Sequence, residues 1–396
     1  MKNHIVRRTV AAFLALAMLA ALSTSAFGFN LGERRYDIFA GDYQMQEKNQ
    51  KQIEITQPVD LLNTDGTVAH PGWARQNLFR YNRESIAASP YQIKEWDYYQ
   101  VSDGRYLVQL TMANIGLGAG GFVTVKDMTN GEVLLDTGVA KLLTTDRCQM
   151  PRSSKDPSKV TMALGDFDMT FDYDGFTRHL TVSGTSLKTP ALTPFSVDLS
   201  LAVKPGLESI TIAIPYSNNP SHFFLTNKVD SMPVTGSITI GNKKLNFEPS
   251  SSFGILDWGR GVWDHDTNWV WSNGSGYLPN GDILGWELTW GIGDTKNATE
   301  TCLFYNGKAM KLGRVTCKFD PDNLMKPWVF HEENNRFEMV FTPTYDNHSD
   351  TNILELAGTD GHQVHGIWNG TVALDSGEKV QVRNMYAFCE QVNNRW

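Results

Sequence analysis

The sequence predicts an all-β chain with few helices, on three observations. Apolar and polar residues alternate at period two over most of its length, turn residues interrupt those runs at short intervals, and no segment reads as a long amphipathic helix. Alternation sends successive side chains to opposite faces, so each run can bury one face and wet the other. Short strands at this spacing form antiparallel sheets that close into barrels or stack as sandwiches.

The chain opens on a targeting signal. Lys2, Arg7 and Arg8 precede an apolar run from Thr9 to Leu22, and small residues, STSAFG, follow. The run is short for a bilayer span, so residues 1–26 read as a signal peptide cut after Ala26 or Gly28, with an uncleaved anchor as the alternative. Export to a periplasmic or extracellular space is the expectation. Losing the three cations would take the formal charge from −8 to −11. Such acidity argues against nucleic acid and against strong binding to anionic membranes, since both want Lys and Arg.

After export about 370 residues remain, more than one core usually holds. Residues 27–75, with the polar stretch QMQEKNQKQ, read as an N-terminal wrap or a partly flexible segment. A first lobe is expected over 76–225. Its clearest element is VTMALGDFDMTFDYDGFTRHLTVSG, a hairpin around Asp174-Gly175. YSNNPSHFFLTNKVDSMPVTG, rich in Asn and Pro, reads as the connection, and a second lobe is expected over 226–396. Cys148, Cys302, Cys317 and Cys389 show no metal-ligand spacing; one or two disulfides and four buried thiols both stay open.

The most informative stretch is FGILDWGRGVWDHDTNWVWSNGSG, residues 253–276; six of the eleven tryptophans fall between 258 and 290. An indole buries a large apolar area and still carries an N–H that needs a partner, which suits an apolar pocket with a few polar fixtures. Candidate ligand-binding residues are Trp96, Trp258, Arg260, Trp263, Trp269 and Trp271. Asp257 and Arg260 are three apart and read either as a functional acid with a carboxylate-clamping guanidinium or as a structural ion pair. Glu300, expected at a strand start, is a second candidate acid with Asp257, because an inward carboxyl in an apolar site has a raised pKa. Asp264, His265 and Asp266 read as a hydrated loop in preference to a metal site. His362 and His365, three apart on a strand, point to opposite faces. Neither metal nor cofactor is expected, and no GxSxG, HExxH, P-loop or dinucleotide motif occurs in the needed context.

The words ILDWGRGVW, the following WVW, NATETCLFYNGKAMKLG and the closing FCEQVNNRW resemble the bacterial domain of unknown function 2804, as does YQIKEWDYYQVSDGRYLVQLTMANIGLGAGGFVTVKD. More distantly, a β-rich first lobe followed by an acid-Trp segment and a W-x-W strand resembles the tandem lipocalin-like proteins that include carotenoid hydratases. That resemblance implies two consecutive antiparallel lipocalin-like (calycin) barrels, closed or half-open, with an apolar ligand site near the lobe contact. The fold hosts carriers and enzymes alike. The leading expectation is therefore an exported binding protein for a hydrophobic or amphipathic small molecule, a lipid or an isoprenoid. The alternatives are an acid-catalysed hydratase or isomerase and, third, a secreted carbohydrate-active protein.

Overall fold

The computed structural model describes residues 29–31, 51–116, 118–142, 147–353 and 357–395, so the expected signal peptide lies outside the described residues. Among the described residues the only helix is a single 3-10 turn, Arg83–Ser85, and everything else of regular structure is β. The all-β expectation holds, as one nearly closed barrel-like sheet followed by one half-barrel.

The first sheet is built on β1 (Ile93–Ser102), β2 (Tyr106–Ile115), β3 (Gly118–Asp127), β4 (Glu132–Leu142), β5 (Ser158–Leu164), β6 (Phe167–Tyr173), β7 (Thr177–Ser186), β8 (Thr193–Ala202), β9 (Phe223–Ile240) and β10 (Phe253–Val262). Its order is β4-β3-β2-β1-β10-β9-β8-β7-β6-β5. The sheet curls until its ends approach. Asp136 of β4 and Thr189, just after β7, exchange two backbone hydrogen bonds of 2.8 and 3.1 Å. The expected hairpin is β6-β7: Asp174 Oδ1 accepts from the backbone N–H of Phe176 and Thr177, both at 2.7 Å, and Gly175 takes φ +100°.

The second sheet runs through β11 (Asp266–Tyr277), β12 (Ile283–Trp290), β13 (Cys302–Tyr305), β14 (Lys308–Lys311), β15 (Val315–Lys318), β16 (Trp328–Glu332), β17 (Phe337–Ile353), β18 (Ala357–Ala373) and β19 (Lys379–Arg395). Their order is β14-β13-β12-β11-β19-β18-β17-β16-β15. Residues 312–314 join the two edge strands, yet no ladder among the described residues closes them. Trp286, Trp328, Trp368, Phe330 and Phe337 fill this half-barrel. Residues 51–75 lie across both lobes: Trp73 pairs with Ile212 of the first lobe, and the N–H of Lys51 and Ile53 donate to the carbonyls of Lys296 and Asn297.

Two differences from the sequence reading have one cause. The Asn- and Pro-containing stretch 216–236, expected to be a connection, contains most of β9, whose residues Phe223 to Val234 are all buried. The changeover between sheets therefore falls at residues 263–265, later than the 225/226 division suggested by composition. A strand covered on both faces loses the alternation that marks a half-exposed one. β9 and β10 face the first core on one side and the second lobe on the other. A bulge between Val229 and Met232, with Ser231 at φ +59°, breaks the pattern further. The four cysteines are free and buried.

Candidate functional site

The outer face of the first sheet supplies one wall of a cavity between the lobes. In register across β1, β10 and β9 lie the rows Tyr98-Asp257-Lys228 and Trp96-Gly259-Thr226. Gly259 is required here: a Cβ on it would sit 1.8 Å from the Trp96 ring, which lies across its strand. The facing wall comes from the second sheet, where Gln363, Glu390, Trp271 and Thr289 form a row across β18, β19, β11 and β12. Glu300 enters from the loop before β13.

The space between these walls is about 120 Å³ and is largely apolar, with Trp96, Trp263, Trp269, Trp271 and Phe224 forming most of its surface. Three of the indoles touch edge to face: Trp263 lies 5.1 Å from Trp96 and 5.9 Å from Trp269 between ring centroids. Two indoles of the cavity are anchored by acids, Trp269 Nε1 donating to Glu390 at 2.8 Å and Trp271 Nε1 to Glu287 at 2.7 Å.

The polar groups of the cavity are held differently. Lys228 pairs with Asp257 at 2.6 Å and its ammonium lies 4.2 Å from the Trp271 ring centroid. Burial opposes its charge, but Asp257, Glu300 and Glu287 outweigh burial and hold its pKa above the usual lysine range. Glu390 accepts from Trp269 and, at 3.1 Å, from Gln363; burial nonetheless raises its pKa. Glu300 is fully buried and neither carboxyl oxygen has a hydrogen bond of normal geometry. Burial raises its pKa, with Lys228 and the nearby Thr289 and Thr226 hydroxyls opposing. Burial thus favours the protonated form of this carboxyl, the form that can give a proton away.

Of the residues singled out from sequence, Asp257, Glu300, Trp96, Trp263, Trp269 and Trp271 come together here. Trp258 and Arg260 do not. They lie on the other face of β10, inside the first barrel, where Trp258 meets Tyr81 edge to face at 6.2 Å. Arg260 pairs with Asp97 at 2.9 Å and donates to the carbonyls of Trp96, Gly259 and Pro151. The expected contact between Asp257 and Arg260 is absent because three residues along a strand is an odd step, which changes face. Trp286 and Trp290 belong to the second core. Asp264 pairs with His222 at 2.7 Å and Asp266 with Arg395, so the DHD run does not converge.

The sequence reading missed Lys228, Glu390, Gln363 and Tyr98. Lys228 sat in the supposed connection. Glu390 had a usable signal, an acid inside the apolar strand YAFCEQV. Gln363 and Tyr98 join a polar seam between the lobes: Gln109 Nε2 donates to Tyr98 Oη at 2.8 Å and to Gln363 Oε1 at 3.0 Å, and Gln100 Nε2 donates to Asn273 Oδ1 at 3.0 Å.

The family described as domain of unknown function (DUF2804) matches residues 52–396. Among solved structures, the chain is similar to a putative AttH from Nitrosomonas europaea, at 11% identity and a TM-score of 0.46, over 78% of this chain and 95% of that one. It is similar to kievitone hydratase from Nectria haematococca at 9% identity and a TM-score of 0.44, over 76% and 88%. CghA, determined with Sch210972, matches at 12% identity and a TM-score of 0.42, over 88% and 97%. No match was found among curated proteins.

Proposed function

The chain belongs to the domain of unknown function 2804 family, and from the cavity between its lobes we propose an acid-catalysed enzyme of hydratase or isomerase type. Its substrate is an apolar or amphipathic small molecule that presents a compact unsaturated group. The observation that carries this is Glu300, a buried carboxyl without a normal hydrogen bond in an indole-walled space.

In the proposed reaction the Glu300 proton moves to an alkene carbon: a C–H bond forms, the π electrons are consumed, and a cation remains. Indole faces and the Glu300 carboxylate left behind stabilise that cation. Hydration follows when water adds to it and returns a proton to the Glu300 carboxylate; isomerisation follows when a neighbouring C–H returns it instead. The Lys228-Asp257 pair sets the local field and, with the bound Glu390, fixes the wall.

Size supports a compact reacting group. A cavity on the order of 150 Å³ accepts benzene, and 120 Å³ suits about one isoprene unit or a small ring. Indoles enclosed between lobes also favour apolar ligands over the open stacking that sugars use. We further infer export from residues 1–26; N-terminal sequencing of the mature protein from its native host, starting at Phe27 or Phe29, tests it.

The test of the reaction is isotope incorporation. Purified protein is incubated in D2O with a panel of short isoprenoids and enones, and deuterium on carbon is read by mass spectrometry. The wild type incorporates deuterium into at least one member. Glu300→Gln incorporates about 10²–10⁴-fold more slowly, the contribution of a general acid, while tryptophan quenching shows that the same compound still binds. Binding without wild-type incorporation would leave a carrier.

A further inference from the structure

On the face of the second sheet that also carries Val364 and Trp368, turned away from the cavity, the hairpin β17-β18 brings two histidines and a carboxylate to one point near its end. His348 and His362 are direct cross-strand partners, and Asp350 opposes Asp360 one step further toward the hairpin end. Because residues two apart share a face, Asp346, His348 and Asp350 of β17 line up against Asp360 and His362 of β18. The two imidazoles stack at 3.9 Å with an interplanar angle of 5°. Their Nε2 atoms both turn toward Asp360 Oδ1, at 2.8 Å for His348 and 3.8 Å for His362. One nitrogen from each ring and one carboxylate oxygen thus lie within 4.8 Å of one another.

We propose that His348, His362 and Asp360 form a binding site for one divalent transition metal ion of the Zn2+ class, with Asp346 orienting His362. Two imidazole nitrogens and one carboxylate oxygen are a donor set that Zn2+ and its neighbours accept, leaving one or more positions for water. A separate observation points the same way. His362 Nδ1 lies 2.7 Å from Asp346 Oδ2, an arrangement that holds the proton on Nδ1 and leaves the Nε2 lone pair for the ion. The stacked rings must tilt out of parallel for both Nε2 lone pairs to converge with Asp360 on an ion about 2 Å from each ligand. The site ties together the ends of two 17-residue strands. His362 is followed by Gln363, which points the other way and holds Glu390 at the cavity, so the ion would stiffen the strand behind the second wall.

The sequence could not show this set, since its spacing suggested only His362 with His365. His365 is instead buried on the opposite face, its pKa well below the usual range through burial and, secondarily, the charge of Lys126.

The experiment uses untagged protein stripped with a chelator and dialysed. Calorimetric titration with Zn2+ gives one saturable site per chain, Co2+ gives visible d–d bands, and Zn2+ raises the Tm. His348→Ala/His362→Ala, a surface change that leaves the fold intact by circular dichroism, loses the site and the bands. Asp346→Asn weakens binding about 10–100-fold while keeping the stoichiometry, as expected of an orienting partner. Absence of saturable Zn2+ binding, or binding that the double variant retains, overturns the proposal.

Discussion

Two buried ion pairs straddle one strand, and they differ in what surrounds them. On the inner face of β10, Arg260 is saturated by Asp97 and three backbone carbonyls, with Trp258 stacked 4.0 Å from its Cζ. On the outer face, Lys228 holds Asp257 beside an open apolar space and two further acids, Glu300 and Glu287. The first pair clamps residue 151 and β1 to the barrel. The second is charge kept beside the indole-lined cavity. A buried pair is thus not informative about function until its unfilled neighbourhood is known, because burial and pairing alone serve conformation equally well.

The largest effect that would break this contrast is on stability. Arg260→Met should cost about 3–5 kcal/mol in urea unfolding, since Asp97 is left buried and uncompensated. Arg260→Met/Asp97→Leu should recover most of that loss and keep deuterium incorporation, whereas Lys228→Met/Asp257→Leu should fold comparably and lose incorporation. Equal loss of turnover from both double variants would erase the distinction between the faces.

A smaller effect is expected from Gly259→Ala. Its Cβ would overlap the Trp96 ring, so overpacking should cost about 1–3 kcal/mol and push the ring into the cavity, reducing quenching by ligand. The equivalent pair in the second lobe, Gly274 facing Trp286 with a Cβ 2.4 Å from the ring, lies toward a filled core. Gly274→Ala should destabilise without touching ligand binding.

A separate effect is a pH slope. Asp230, on β9 beyond Lys228, accepts from Ser231 and from Ser275 of the second lobe, and burial pushes its pKa up to about 7. An acid whose folded pKa is raised binds its proton more tightly when folded. Its contribution to stability is therefore greatest below about pH 4 and falls as pH rises toward 7, by at most about 1.4 kcal/mol per unit. Asp230→Asn should flatten that slope in urea titrations at pH 4 to 7; an unchanged slope would place the proton elsewhere.

Much of the fold was legible. The Asp174-Gly175 hairpin and the W-V-W strand, whose two indoles share a side, follow from period two and turn chemistry. The strands that build the first wall of the cavity were not, because β9 and β10 are covered on both sides and carry no alternation to read. The candidate site was half legible. Trp96, Trp263, Trp269, Trp271, Asp257 and Glu300 were picked by residue type; Trp258 and Arg260 were drawn in by closeness in sequence although a strand separates them; Lys228 and Glu390 came from strands far along the chain.

The amino-acid sequence by itself determined an all-β chain, its tryptophan-rich segment and the acids available to it, because these depend on local periodicity and residue chemistry. Only the tertiary structure decided which face of β10 meets empty space, that Lys228 partners Asp257, and that His348 stands beside His362. Such outcomes depend on the register in which strands pair. A single residue of slip exchanges the two faces of a sheet, and no local pattern records which register wins when both faces are buried.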